Sequence, residues 1–310
     1  MTVRVYRSTD ASAPVLSGTT SSLIDMLHAC LVVGYGAISA AGWTRSFFDD
    51  PNDVAVFRQG GGSSMYLRVG DKGPGAGTFK EARAVGYETM SGVDTGTGPF
   101  PTAAQLAVGV IIRKSTTADA TARAWTLVAS ERLFFLFTFT GDTANTASVF
   151  SFGDVKSFKP SDVYNCRIAG RSTENAGFAT GESAVTLSSA YSGVLSGTYL
   201  ARSYTGVGGS ISAGQSADYF TAPQTAIGGT GGVAYPSPVD GGLLMVPVGS
   251  HEVSNHRGVL PGLWAPLHAN AFSAGDTIAG AGGLLGRTFE NVLTVGGQVL
   301  VETSNTWDEV

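Results

Sequence analysis

The feature that most constrains this chain is a pair of runs near its middle. Ala124-Trp-Thr-Leu-Val-Ala-Ser and Arg132-Leu-Phe-Phe-Leu-Phe-Thr-Phe-Thr are separated by little more than Glu131. A short polar link between β-prone runs predicts an antiparallel hairpin. From Phe134 to Phe139 the apolar residues fall on both faces of that strand, so it belongs in the centre of a layered fold with cover on each side. Val149-Phe-Ser-Phe-Gly-Asp-Val is its natural neighbour.

The preceding third of the chain supplies material for both layers. Val3 and Val5 alternate with Arg4 and Tyr6 as in a half-buried strand. Leu23, Met26, Leu27, Cys30 and Leu31 recur at helical spacing, Ser22 and Asp25 are placed as a capping box, and the helix is expected to stop near Gly34 to Gly36. Trp43 to Phe48, Val54 to Arg58 and Ser64 to Val69 read as three strands of a meander, separated by Asp49 to Asp53 and Gln59 to Ser63. Ala82 to Thr89 is a further strand running into a Gly-rich loop over Ser91 to Gly98, and a short helical turn is expected after Pro101.

Beyond Arg171 the chain loosens into Ser, Thr, Ala and Gly. Tyr199 to Tyr204 and Gly241 to Val248 are the firm strand candidates there, and Arg287 to Val295 with Gln298 to Thr303 predict a closing hairpin joined by Gly296-Gly297. The expected fold is mainly β, with an α+β N-terminal part: antiparallel, sandwich-like sheets, one or two short helices and long Gly/Ser/Thr-rich loops. Residues 1–171 and 172–310 are expected as an N-terminal unit and a loop-rich β unit, although 310 residues also permit one continuous domain. No internal repeat of fixed period is present, which weighs against a propeller or a fibre.

Few residues suggest chemistry. Asp94-Thr95-Gly96 is half of an aspartic-protease site and reads better as a turn, because the acid and base roles need a second carboxylate. His251-Glu252 and His256 miss the four-residue spacing of a zinc helix, and only a loop could bring them together with His268; no metal is expected. The glycine strings lack the Lys-Ser/Thr tail of a phosphate loop, so no cofactor is expected either. Cys30 and Cys166 are expected as buried thiols. A net charge of -5 without any run of Lys or Arg argues against direct nucleic-acid binding. No apolar stretch has the length of a membrane-spanning helix, and the alternating first residues do not resemble a signal segment, so synthesis in a cytoplasm without membrane insertion is expected.

Several segments together resemble a family of tailed-bacteriophage virion structural proteins. They include Ala41-Gly-Trp-Thr with Ala55-Val-Phe-Arg-Gln, Tyr66-Leu-Arg-Val, Glu81-Ala-Arg with Gly86-Tyr-Glu-Thr-Met-Ser, and Gly98-Pro-Phe-Pro. Phe152-Gly-Asp with Tyr164-Asn, Gly262-Leu-Trp-Ala-Pro-Leu-His and Gln298-Val-Leu-Val-Glu-Thr-Ser extend the likeness over nearly the whole chain, 172–240 matching least. The resemblance implies a particle-building protein of the tail or baseplate, found in the virion after synthesis in the host bacterial cytoplasm. Its partners would be copies of itself and other virion proteins, and it would not be an enzyme.

A charged fraction of 14%, against about 25% in ordinary soluble domains, fits surfaces that meet protein. Tyr191, Tyr199, Arg202, Tyr204, Tyr219, Phe220 and Trp264 lie in or near the loop-rich segments and are the candidate interface residues. Two alternatives stay open. One is a capsid decoration or head-tail connector protein. The other is a tail-borne receptor or glycan-binding module, for which Asp218, Asp240 and Glu252 are the available acids.

Overall fold

A computed structural model describes residues 1–72, 80–140, 148–171, 196–209, 211–215, 239, 241–243, 245–252, 255–266, 272–273, 275–293 and 299–307. The chain opens with β1 (Arg4–Arg7) and α1 (Ser22–His28), which runs into a π-helical turn over Ala29–Val33. An antiparallel meander follows: β2 (Thr44–Asp49), β3 (Val54–Arg58), β4 (Tyr66–Gly70) and β5 (Glu81–Met90). β5 pairs along its second half with β6 (Gly96–Phe100) and along its first with β7 (Val110–Arg113).

The central hairpin is β8 (Ala124–Ala129) and β9 (Leu133–Phe139), with β10 (Ser148–Asp154) beside β9 as the sequence predicts. After the two-residue β11 (Lys156–Ser157), β12 (Cys166–Arg171) pairs with β10, β7 and β13 (Ser196–Leu200), while β1 lies against β8. A second antiparallel sheet is built from β14 (Ile211–Gln215), β15 (Met245–Glu252), β16 (Asn255–Pro266), β17 (Thr277–Ala279), β18 (Thr288–Leu293) and β19 (Val299–Glu302). Its order is β14-β15-β16-β19-β18-β17, and β11 adds to β16. β14 also pairs with β13, which joins the two sheets.

β9 shows why the layers form. Phe134 and Leu136 enter a core closed on its other side by Leu23, Ile24 and Leu27 of α1, whereas Leu133, Phe135 and Phe137 enter a second core shared with Val248, Leu260 and Trp307. Alternate side chains of one strand thus feed a helix-covered interior and a sheet-on-sheet interior. Each buried aromatic contributes about 2–3 kcal/mol of transfer free energy, so the middle strand stabilises both layers. The second core draws residues from both sides of position 171, and β12 and β13, on either side of that position, are paired partners. No helix among the described residues is long and apolar enough to cross a membrane.

Three local expectations are corrected. The capping box at Ser22 and Asp25 does not form: the N-cap is Ser21, whose side chain makes no capping bond, and the Leu23 amide donates instead to Asp71 Oδ2 at 2.8 Å. The end of the presumed loop over Ser91 to Gly98 belongs to β6, paired with β5. The polar stretch around His251 to His256 is no loop surface, because it brings together the ends of the long β15–β16 hairpin. The linking glycines Gly296-Gly297 lie outside the described residues, although β18 and β19 pair as predicted.

Candidate functional site

The β15–β16 hairpin organises the surface of the second sheet through one buried cation. Arg257 on β16 donates from Nε and Nη2 to the two oxygens of Asp162, at 2.7 and 2.9 Å, and from Nη1 to Glu252 Oε2 at 2.6 Å. Glu252 Oε1 accepts the Tyr204 amide at 2.8 Å, and the Arg202 carbonyl accepts a longer bond from Arg257. One guanidinium therefore ties the segments 157–165 and 201–209 to Glu252 on β15 and to its own strand β16. Fork-to-carboxylate geometry gives such pairs directional strength.

Arg202 adds a second clamp. Its Nε and Nη2 each donate to Glu88 at 2.6 Å, and its guanidinium lies 4.2 Å from the centre of the Tyr164 ring. This links the loop after β13 to β5 of the first sheet. Arg202 is thus engaged within the chain, and so is Glu252, the one described acid of the glycan-site alternative. Tyr199 on β13 is buried in the helix-covered core.

Beside this block runs an apolar groove of about 540 Å³. Val259, Leu260, Pro261 and Trp264 of β16 line it together with Pro247 of β15 and the exposed ring of Phe158. Trp264 is fixed at one end: its Nε1 donates to Glu302 Oε2 at 3.0 Å, Arg287 stands 5.6 Å from its ring centre, and Phe289 meets it edge to face. Burial raises the Glu302 carboxyl above the usual carboxylate range, opposed by Trp264 and Arg287. A second, polar cleft of about 290 Å³ adjoins the groove across β11 and is lined in part by Lys156, Lys159, Arg132 and Asp154.

Two glycines of β16 allow this arrangement. A Cβ at Gly258 would lie 1.9 Å from the Lys156 carbonyl oxygen, so only glycine lets β11 close against the hairpin. At Gly262, with φ of +76°, a Cβ would lie 2.1 Å from the Trp307 ring, which packs on the strand there.

Phe158 (59% exposed), Val163, Tyr204 and Val207 project from the segments held by Arg257 and by β11. Large apolar side chains on a rigid base are what an interface presents. Of the residues nominated from sequence, Trp264 lines the groove and Tyr204 is exposed. Tyr191, Tyr219 and Phe220 lie outside the described residues, as do Asp218, Asp240 and His268. Sequence reasoning missed Phe158, whose signal was a lone aromatic in the polar stretch Lys156-Ser157-Phe158-Lys159-Pro160.

The other nominated sites have structural partners. Asp94 Oδ1 accepts Arg68 Nε and Nη2 at 2.9 and 2.5 Å in an exposed turn. His251 and His256 face each other across the hairpin with ring centres 6.3 Å apart, and Phe158 packs 5.2 Å from His256. Among the described residues no group of three or more metal-ligating side chains converges. Cys30 and Cys166 are free and buried, as the sequence predicts. No protein-family model matches the chain, and no curated protein matches it.

Proposed function

We propose that this chain is a structural subunit of a tailed-bacteriophage virion, at the tail or baseplate, that works by assembling with copies of itself and with neighbouring virion proteins. The observation that carries the reading is the apolar groove with Phe158 on its rim, set on a hairpin that Arg257 holds rigid. A preformed apolar recess beside exposed aromatic and aliphatic side chains suits burial against protein, and the sparse surface charge keeps the desolvation cost of that burial low.

On this reading the chain is not an enzyme. The nominated acids Asp94 and Glu252 are held by Arg68 and Arg257 within the fold, and the buried Asp71 is held by Lys114. The resemblance of the aromatic, Gly and Pro positions to phage structural proteins supports the same role. The test is a density map of an intact particle made in the host, with this chain placed in it. Phe158 and the groove are expected against another subunit; a groove facing open solvent at every copy, or a purified chain that hydrolyses glycan or peptide, overturns the proposal.

A further inference from the structure

The groove and one distant hairpin tip of the same chain are complementary in shape class and charge. Lys156 on the groove wall and Lys159 on the adjoining cleft have no acidic partner among the described residues, while the acids nearby are engaged: Glu302 with Trp264 and Arg287, Asp162 with Arg257, and Asp154 with Gln59 and Ser63. The local surface therefore offers cations around an apolar recess on a chain whose net charge is -5.

The opposite pattern occurs at the β2–β3 turn. β2 pairs only with β3 among the described residues, so it is a sheet edge, and its turn carries Phe48-Asp49-Asp50-Pro51-Asn52-Asp53 with Phe48, Asp50, Pro51 and Asn52 exposed. The turn is built: Asn52 Nδ2 donates to Asp49 at 2.8 Å, the Asp53 amide to the Asp50 carbonyl at 3.1 Å, and Ser21 to the Asp53 carboxylate. The Arg45 guanidinium stands over Phe48, 4.2 Å from the ring centre, and Lys72 reaches toward the Pro51 carbonyl. The Asp50 carboxylate is left as the forward charge beside an exposed ring.

We propose that the chain associates head to tail, the Phe48–Asp50 tip of one copy entering the Phe158–Trp264 groove of the next with Asp50 against Lys156 and Lys159. This deepens the assembly reading and rests on it. Tip and groove are different surfaces, so the contact is heterologous: a joined pair keeps one free tip at one end and one free groove at the other, and the product is a ring or an open filament. A groove of about 540 Å³ lies in the range of pockets for drug-sized ligands, with room for the Phe48 ring together with the turn that carries it.

The test is sedimentation velocity on the full chain over a concentration series. Wild type is expected to form a ladder of oligomers. A tip variant, Phe48→Ser with Asp50→Lys, and a groove variant, Lys156→Glu with Lys159→Glu, should each raise the concentration for half-association about a hundredfold, because like charges are then juxtaposed. Mixed together, the two variants should associate again, as dimers at least, since the groove variant's native tip fits the tip variant's native groove and the exchanged charges at the remaining ends attract. The exchanged chain, Asp50→Lys with Lys156→Glu and Lys159→Glu, should associate again, which a folding defect would not allow.

Wild type that assembles while both variants assemble equally well refutes the head-to-tail contact and leaves the assembly reading standing. So does a mixture that yields no dimer from variants with native circular dichroism. Wild type that remains monomeric at every concentration also refutes it; the density map of the particle then judges the assembly reading separately.

Discussion

The buried pair Asp71–Lys114 allows the sharpest thermodynamic prediction. Both side chains are fully buried, the pair is hydrogen-bonded, and Asp71 also accepts the amides of Leu23 and Ile24 at the start of α1. Lys114 in turn donates to the Thr19 carbonyl at 2.6 Å and to Ser22 Oγ at 3.3 Å. Burial pushes the Asp71 carboxyl from 3.8 up to about 6 in spite of Lys114, and burial likewise lowers Lys114. Lys114→Met strands the carboxylate and should cost about 3–5 kcal/mol near pH 7.5.

The pH dependence separates this cause from simple loss of packing. In the wild type the folded state binds the Asp71 proton more tightly than the unfolded chain does, so between pH 4 and 6 this group's contribution to stability is present at the acid end and lost as pH rises. Without Lys114 the carboxyl is raised further, and the gain on acidification begins at higher pH. Each pH unit between the unfolded and folded values changes stability by about 1.4 kcal/mol, and only the variant gains between pH 7.5 and 6, so the deficit of Lys114→Met should shrink by about 2 kcal/mol, to ~1–3 kcal/mol at pH 5. Asp71→Asn with Lys114→Met removes the stranded charge and keeps an acceptor for Leu23, so at pH 7.5 it should be more stable than Lys114→Met alone. Urea unfolding followed by tryptophan fluorescence reads all three. A loss below about 1 kcal/mol for Lys114→Met, or one that stays constant from pH 7.5 to 5, would show that the pair does not anchor the helix in the way argued.

Other positions give simpler tests. Arg257→Met leaves Asp162 and Glu252 as buried unpaired carboxylates and should cost about 3–5 kcal/mol, with faster hydrogen exchange at the Tyr204 amide that Glu252 holds; unchanged exchange there would refute the clamp. Gly262→Ala combines a left-handed backbone with a clash on Trp307 and should cost about 1–3 kcal/mol from strain alone, with an altered tryptophan emission spectrum as the readout. Cys30 and Cys166 are buried and their thiols are pushed up mainly by burial, so iodoacetamide should label neither until the protein is unfolded, and mass spectrometry of the native protein would expose an error.

Period-2 alternation made β2, β3 and β4 legible, and the double-faced apolar run made β9 legible, because those patterns follow from strand geometry alone. β16 was hidden by the same logic. Its sequence Asn-His-Arg-Gly-Val-Leu-Pro-Gly-Leu-Trp-Ala-Pro carries two glycines and two prolines, which argue against a strand locally. The glycines are explained only by distant groups, the Lys156 carbonyl at Gly258 and the Trp307 ring at Gly262. The helix cap was misassigned for a related reason: the acceptor for Leu23 is Asp71, far along the chain, and a local Ser-x-x-Asp spacing cannot reveal it. Trp264 was found as a candidate from its aromatic character, whereas Phe158 owes its exposure to β11 pairing with β16.

The distribution of ionic groups connects fold and proposed role. Arg7 pairs with Glu290, Arg202 with Glu88, Arg257 with Asp162 and Lys114 with Asp71, in each case joining segments far apart in sequence. A chain with a charged fraction of only 14% thus places many of its ions where they cross-link β1 to β18, β5 to the loop after β13, and β16 to the loop before β12. Internal pairs of this kind add little net stability over apolar packing, because desolvation offsets much of the attraction. What they supply is geometry: each ties two distant segments together, and a shift at Arg257 or Lys114 would leave a buried charge unpaired. Loops pinned in this way can present Phe158 and Tyr204 at constant positions. A surface already held in place in the free chain loses little entropy on meeting another subunit, which is the physical condition for assembly through many modest contacts.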